Sequence, residues 1–168
     1  PAPQRRVVRD GAVKVAIAGA GAVGRSIARE LLENGHEVTL LERNPDHVDV
    51  DAIPAAHWRL GDACELSLLE SVHLEEFDVV IAATGDDKAN VVGSLLAKTE
   101  FAVPRVVARA NDPRNQQHFD LLGISPTVSA VSSLLAMIEH EVPEHGLVHL
   151  LELRTEDLPD WADRIRPR

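Results

Sequence analysis

From Val13 onward, apolar runs of five or six residues alternate with stretches of helical period. That alternation is the pattern of βαβ units on a parallel sheet covered on both faces. The runs that read as buried strands are Val13–Ala18, Glu37–Glu42, Ala56–Leu60, Asp78–Ala83, Arg105–Arg109 and Thr127–Ser129. Between them the helices carry their own punctuation. A helix over Val23–Asn34 sets Ile27 and Leu31 four apart and stops at Gly35, suited to a left-handed cap. A second starts at Asp62, where Glu65 completes a capping box and Leu66, Leu69 and Val72 share one face. A third follows Asp86 and carries Val91, Val92, Leu95 and Leu96. A fourth takes Asp112 as N-cap and Pro113 as first residue, with Gly123 just past its end. The segment Asn44–Ile53 reads as irregular.

These elements imply an α/β fold: a doubly wound, Rossmann-like, mostly parallel sheet of order 3-2-1-4-5-6. A largely apolar crossover helix, Ala130–Glu141, then leaves the sheet, and Gly146–Arg154 reads as a short terminal strand. Residues 1–12 carry two prolines, three arginines and no periodicity, so they read as a disordered leader. Residues 13–141 are then the dinucleotide-binding domain, and 142–168 a hinge strand with a truncated, frayed or cut tail. Leu134, Leu135 and Ile138 form a stripe on the crossover helix, expected to meet a partner subunit.

The first strand runs directly into Gly19-Ala20-Gly21-Ala22-Val23-Gly24 and then a helix. A G-x-G-x-x-G alone is weak; a strand before it, a helix after it and an acid closing the next strand sharpen it. Gly19 permits the tight turn, Gly21 lets the backbone approach a pyrophosphate, and Gly24 allows close packing of helix on strand. The helix N-terminus offers free N–H groups and a positive dipole end to phosphates. Glu42 closes the second strand, where a carboxylate accepts ribose hydroxyls and repels a 2′-phosphate, favouring NAD(H) over NADP(H). Arg43 beside it works against that preference, since an arginine there can receive the 2′-phosphate.

Further candidates lie along the same sheet edge. Asp62, before Ala63, is placed to reach an adenine edge while also capping the helix it opens. Thr84-Gly85-Asp86-Asp87 follows the fourth strand where ligands sit in open α/β sheets, or is an ordinary turn and cap. Arg109 ends the fifth strand on that edge, facing a phosphate or an acidic neighbour. Arg25 has the same option, although a surface arginine is the plainer reading.

Composition narrows the choice. Seventeen Lys and Arg against twenty-seven Asp and Glu leave a net charge of -10, which argues against a nucleic-acid partner. No apolar run approaches the ~20 residues of a membrane-spanning helix, and the opening lacks a signal peptide's apolar stretch. The expectation is a soluble, intracellular protein without direct membrane insertion. His140-Glu141-Val142-Pro143-Glu144-His145 is one residue too long for the zincin spacing, and Pro143 breaks the helix it needs, so no metal is expected there. The single cysteine, Cys64, reads as packing rather than redox chemistry.

A dehydrogenase needs an acid or base set against the nicotinamide. With no tyrosine in the chain, the tyrosine–lysine pair of short-chain dehydrogenases is impossible. Lys14, Lys88 and Lys98 stand away from a believable substrate pocket, and 168 residues leave no room for a second catalytic domain. Such a module senses a nucleotide rather than transforming it. The alternatives weighed are a small NAD(H)-dependent oxidoreductase and a redox-responsive transcription regulator, the latter lacking any basic DNA-binding module.

GAGAVG at 19–24, LLERNP at 40–45, GDA at 61–63, ATGDDKAN at 83–90 and VVARANDP at 106–113 stand in the order found in Trk-type potassium-uptake regulators. The chain resembles their RCK N-lobe (TrkA-N) family over about residues 13–140, and actinobacterial TrkA-like members in particular. The resemblance implies no catalytic residues. It implies a cytoplasmic regulatory subunit, peripheral at the inner face of the membrane, that binds NAD or NADH, alternatively ADP or ATP. It also implies self-association, as dimers within a ring, beneath a membrane-embedded potassium transporter or channel subunit that it gates. The glycine loop, including Ala20, Ala22 and Val23, would hold phosphates, and Glu42 with neighbouring Arg43 the ribose. Asp62 and Ala63 would lie near adenine, with Thr84, Gly85, Asp86 and Arg109 bordering the site. Two departures stand out: family members usually continue into a C-terminal lobe, and Gly123–His145 follows the pattern loosely.

Overall fold

A computed structural model describes residues 11–129. Its strands form where branched, apolar residues run without a break. They are β1 (Lys14–Ala18), β2 (Glu37–Glu42), β3 (His57–Leu60), β4 (Val79–Ala82), β5 (Arg105–Arg109) and β6 (Thr127–Val128), each within a residue of its expected ends. They make one six-stranded sheet of order β3-β2-β1-β4-β5-β6. Every neighbouring pair is parallel, with Val15 opposite both Val38 and Val79. The order reverses between β1 and β4, so a crevice opens at the carboxyl ends of those two strands.

The alternation of side chains along a strand divides the core between the two faces. On one face Val15, Ile17, Val38 and Leu40 pack with Ala28 of α1 (Ala22–Glu33). On the other, Ala16, Leu41, Val80 and Val106 pack with Leu69 of α2 (Leu66–Ser71) and Ala97 of α3 (Asp87–Thr99). Phe119 of α4 (Gln116–Leu121) joins Ala82, Ala108 and Ile124 beside β5. The outer strand β3 is the exception, with His57, Arg59 and Leu60 exposed at the sheet's rim.

The ends of α1 and α4 follow the local chemistry. Past α1, Gly35 has φ 83 and donates to Leu32 O, while His36 donates to Leu31 O. Gly123, φ 71, repeats the arrangement with Asp120 O, and Ile124 N donates to Phe119 O. Both are Schellman closures, in which a glycine takes the left-handed position that a Cβ would penalise. Asp112 accepts from Arg114 N as expected, but it opens a single 3₁₀ turn, Pro113–Asn115, before α4 begins.

The helix expected from Asp62 begins four residues later. Asp62 Oδ1 takes the Cys64 N–H at 2.9 Å, and Glu65, not Asp62, occupies the N-cap position without a side-chain cap bond. The aspartate closes its own local turn, a competing use of the same oxygen that sequence spacing does not distinguish from a helix cap. Leu66 is consequently exposed while Leu69 is buried. In α3 the four fully buried positions are Asn90, Gly93, Ser94 and Ala97. Val92 of the expected apolar set is exposed; small residues, not the large ones, bring this helix onto the sheet. The crossover helix, its stripe, the terminal strand, the histidines at 140 and 145, and the leader through residue 10 lie outside the described residues.

Candidate functional site

The glycine loop is built by contact, and its glycines do different things. Gly19 has φ 101, and a Cβ there would stand 2.9 Å from the Thr84 backbone. Gly24 sits so close under the turn that its Cβ would come to 1.9 Å from Gly19 O. Both are required by the fold itself. Gly21 is different: its φ is -71, and among the described residues nothing lies within 4 Å of where a Cβ would be. The fold does not need a glycine at Gly21, and the space before it is open. It is the N-cap of α1, which no side chain caps and whose first turn holds no acid. The first-turn N–H groups at Ala22, Val23 and Gly24 therefore present the helix's positive end beside that space. This is the fit an anionic phosphate requires.

Glu42 reaches the loop from the next strand. Its residue is 7% exposed, and its Oε2 accepts from Ala20 N at 2.8 Å while Oε1 accepts from Asn44 N at 2.8 Å. Each carboxylate oxygen retains a second acceptor direction, so the group both secures the loop and can still accept a hydroxyl. The His47 Nδ1 lies 3.8 Å from Oε1. Arg43 beside it is exposed. Arg25 is more than a surface arginine: its Nε donates to Ala20 O and its Nη2 to His47 O, each at 2.8 Å.

Asp62 stands at the same edge because Gly61 N donates to Glu42 O at 2.8 Å. Ala63 is half-buried, and Gly93 of α3 passes so near that a Cβ there would lie 3.4 Å from Ala63 O. Cys64, next in line, sends its Sγ toward Ala89 O at 3.6 Å. Burial, helped by the adjacent Asp62 carboxylate, pushes its thiol up to about 11. It is a protonated packing group.

Across the crevice, the loop after β4 is held by a residue that sequence reasoning missed. Asn90, wholly buried, accepts from Thr84 N at 2.9 Å and Thr84 Oγ1 at 2.7 Å. Its Nδ2 donates to Thr84 O at 3.0 Å and Arg109 O at 2.9 Å, tying the two loops together. Asp86 caps α3 by accepting from Lys88 N at 2.9 Å, while Gly85 is exposed with open space around it. Asp87 gathers four donors: Asn111 N and Nδ2, Asp112 N and Asn115 Nδ2. Burial opposes its charge, but the bonds from Asn115, Asn111 and Asp112 outweigh it and hold the carboxyl below its usual range. Gly85, Asp86 and Asp87, with Asn111, Asp112 and Asn115, line an open cleft of about 600 Å³. The signal for Asn90 was available, since 90, 93, 94 and 97 form a helical stripe of small and polar residues.

The structure thus brings Gly19–Gly24, Glu42 and Thr84 into direct contact, joins Arg109 to them through its main chain, and sets Asp62 at the crevice's outer end. No group of three metal-ligating side chains occurs among the described residues.

Comparison with known proteins identifies the family of this fold. Residues 15–130 match the model of the TrkA-N domain. The chain belongs to the TrkA-N domain family. The Trk system potassium uptake protein TrkA of Mycobacterium tuberculosis is 70% identical over 144 residues, 85% of this chain and 66% of that protein. The chain therefore spans just under two thirds of that relative's length. Among solved structures, the TrkA-N domain of the inner membrane protein YbaL from Escherichia coli superposes with a TM-score of 0.70 at 17% identity, covering 80% of this chain and all of that one. GsuK bound to ADP gives a TM-score of 0.65 at 25% identity, over 77% of this chain and 35% of that one. The GsuK channel bound to NAD gives 0.65 at 18%, over 81% and 24%. The matched residues, 15–130, take in the glycine loop and all six strands but the first residue of β1. No helix among the described residues is long and apolar enough to cross a membrane.

Proposed function

We propose that this protein is a nucleotide-sensing regulatory subunit of a potassium uptake system, acting without catalysis at the cytoplasmic face of the membrane. The observation that carries the reading is Gly21: a glycine with no conformational or packing reason to be one, facing open space at an uncapped helix N-terminus. Gly21 and the first turn of α1 would hold phosphates, Glu42 the ribose, and Asp62 the adenine side. Thr84, Gly85 and Arg109 would border the far half. The ligand class is an adenine nucleotide, NAD(H) or ADP and ATP, supported by the ADP and NAD found in GsuK. Partnership with a membrane-embedded potassium transporter, supported by the relative's place in a potassium uptake system, and self-association into dimers or a ring complete the reading. In this reading the nucleotide lobe ends near residue 141.

Titration calorimetry with NADH, NAD, NADPH, ADP and ATP tests this directly. One adenine nucleotide binding at micromolar to submillimolar concentration supports the reading, and failure of all five at millimolar concentration refutes it. An oxidoreductase would instead consume NADH above background.

A further inference from the structure

Five residues from three different segments close a ring around the loop that follows β2. Ala20 N donates to Glu42, and Glu42 accepts from Asn44 N. His47 stands 3.8 Å from the same carboxylate. Arg25 completes the circuit by donating from Nε to Ala20 O and from Nη2 to His47 O, with its Nη1 4.0 Å from Asp49. The guanidinium therefore spends its fork within the protein, on two carbonyls 27 residues apart in number, and is three-quarters buried at the side chain. Two of its five N–H donors are used on these carbonyls, which fixes where the guanidinium sits between the turn and the loop. What it does hold is the main chain of His47, and hence an imidazole that is half-exposed beside the carboxylate expected to meet the ribose.

We propose that Arg25 is a positioning residue and His47 a ribose-contacting residue: the Arg25 strap seats the 44–49 loop so that His47 and Glu42 together take the ribose hydroxyls. This rests on the nucleotide-binding reading above. The Glu42 carboxylate is fixed by two backbone donors, and the imidazole supplies a group of either polarity next to it, a donor or an acceptor as the hydroxyl requires. Arg25 contributes its geometry, by holding Ala20 O and His47 O at once.

The test separates ribose from phosphate by varying the ligand. Binding of AMP, ADP, ATP and 2′,3′-dideoxy-ADP is measured by calorimetry for the wild type, Arg25→Lys, Arg25→Met and His47→Ala. The His47 side chain is 55% exposed and the bonds that hold the loop use only its main chain, so His47→Ala should fold as the wild type does even where the Arg25 variants loosen the loop. The expected result is a loss of about tenfold for each of AMP, ADP and ATP in Arg25→Met and His47→Ala, equal across the three, the size of one lost hydrogen-bonded contact. Dideoxy-ADP should bind the variants as it binds the wild type, because the hydroxyls that report the site are gone. Arg25→Lys should resemble Arg25→Met, since a single ammonium does not span both carbonyls. A loss that grows with phosphate number, rescued by Arg25→Lys, overturns the inference and makes Arg25 a phosphate ligand. An unchanged affinity in His47→Ala also overturns it. Both of those results leave the nucleotide reading standing, whereas a wild type that binds none of the ligands removes both.

Discussion

Alanine at Gly21 separates a glycine kept for a ligand from glycines kept for the fold. In Gly21→Ala the new methyl meets no atom within 4 Å, and φ of -71 is ordinary for alanine. Alanine is a poorer N-cap than glycine by about 0.5–1 kcal/mol, roughly offset by the smaller backbone entropy of its unfolded chain. The free variant should therefore melt within about 2 °C of wild type. A nucleotide at ~100 times its dissociation constant stabilises the wild type by about 2.7 kcal/mol, on the order of 10 °C in a domain of this size. If the methyl intrudes where phosphate approaches, a cost of roughly 1–3 kcal/mol applies. Near the upper end, about 100-fold weaker binding leaves the same ligand concentration at the dissociation constant. The stabilisation then falls to about 0.4 kcal/mol, a shift of about 2 °C. Thermal-shift titration of both proteins reads this directly, with Gly24→Ala as the opposite control. Its Cβ would lie 1.9 Å from Gly19 O, so that variant should lose several degrees before any ligand is added. A full nucleotide shift retained in Gly21→Ala would refute the reasoning, because the backbone there would then not be approached by the ligand. Glu42→Ala is a poorer probe, since it also strips acceptors from Ala20 N and Asn44 N.

Other consequences can be measured independently. Ser94 Oγ is buried without a partner, so Ser94→Ala should raise stability by about 1 kcal/mol in urea unfolding. Asn90→Ala, which orphans groups on both loops, should cost roughly 3 kcal/mol by the same measurement. The folded Asp87 carboxyl titrates below the usual carboxylate range, so its contribution is fully present above the unfolded pKa and is lost as pH falls through the folded one. Asp87→Asn should flatten that acid limb in pH-dependent unfolding, and an unchanged limb would show that the hydrogen bonds do not favour the charged form. With its thiol near 11, Cys64 should react with iodoacetamide at pH 8 far more slowly than it does in urea, where an ordinary thiol value returns.

The parts of this molecule legible in the sequence are those set by one-dimensional period. Buried parallel strands announce themselves as unbroken runs such as Val79–Ala82, and the chirality of βαβ connections then leaves few orders for the sheet. Gly35 and Gly123 marked helix ends because only a residue free at positive φ closes them cheaply. Less legible was any choice between two partners for one polar atom. Asp62 could cap a helix or close its own turn, and only packing of Leu69 decided where α2 begins. Arg25 looked like a surface residue because its carbonyl partners come from a turn and a loop that sequence spacing does not juxtapose. Asn90 was hidden among apolar neighbours, although its stripe of small residues marks the face that lies closest to the sheet.

On the proposed reading, Glu42 ties ligand choice to chain integrity in a way that bears on how such a site can change. A lineage drifting toward acceptance of a 2′-phosphate would have to remove the negative charge at this position. Here the same substitution unfastens the phosphate turn from the second strand, because Ala20 N and Asn44 N both rest on that carboxylate. Each orphaned donor costs about 1–3 kcal/mol, a large part of the margin by which a domain of this size stays folded. A single step is therefore penalised before any new preference is gained. A switch in nucleotide preference would have to begin with an added anchor for the turn, and only then release the acid.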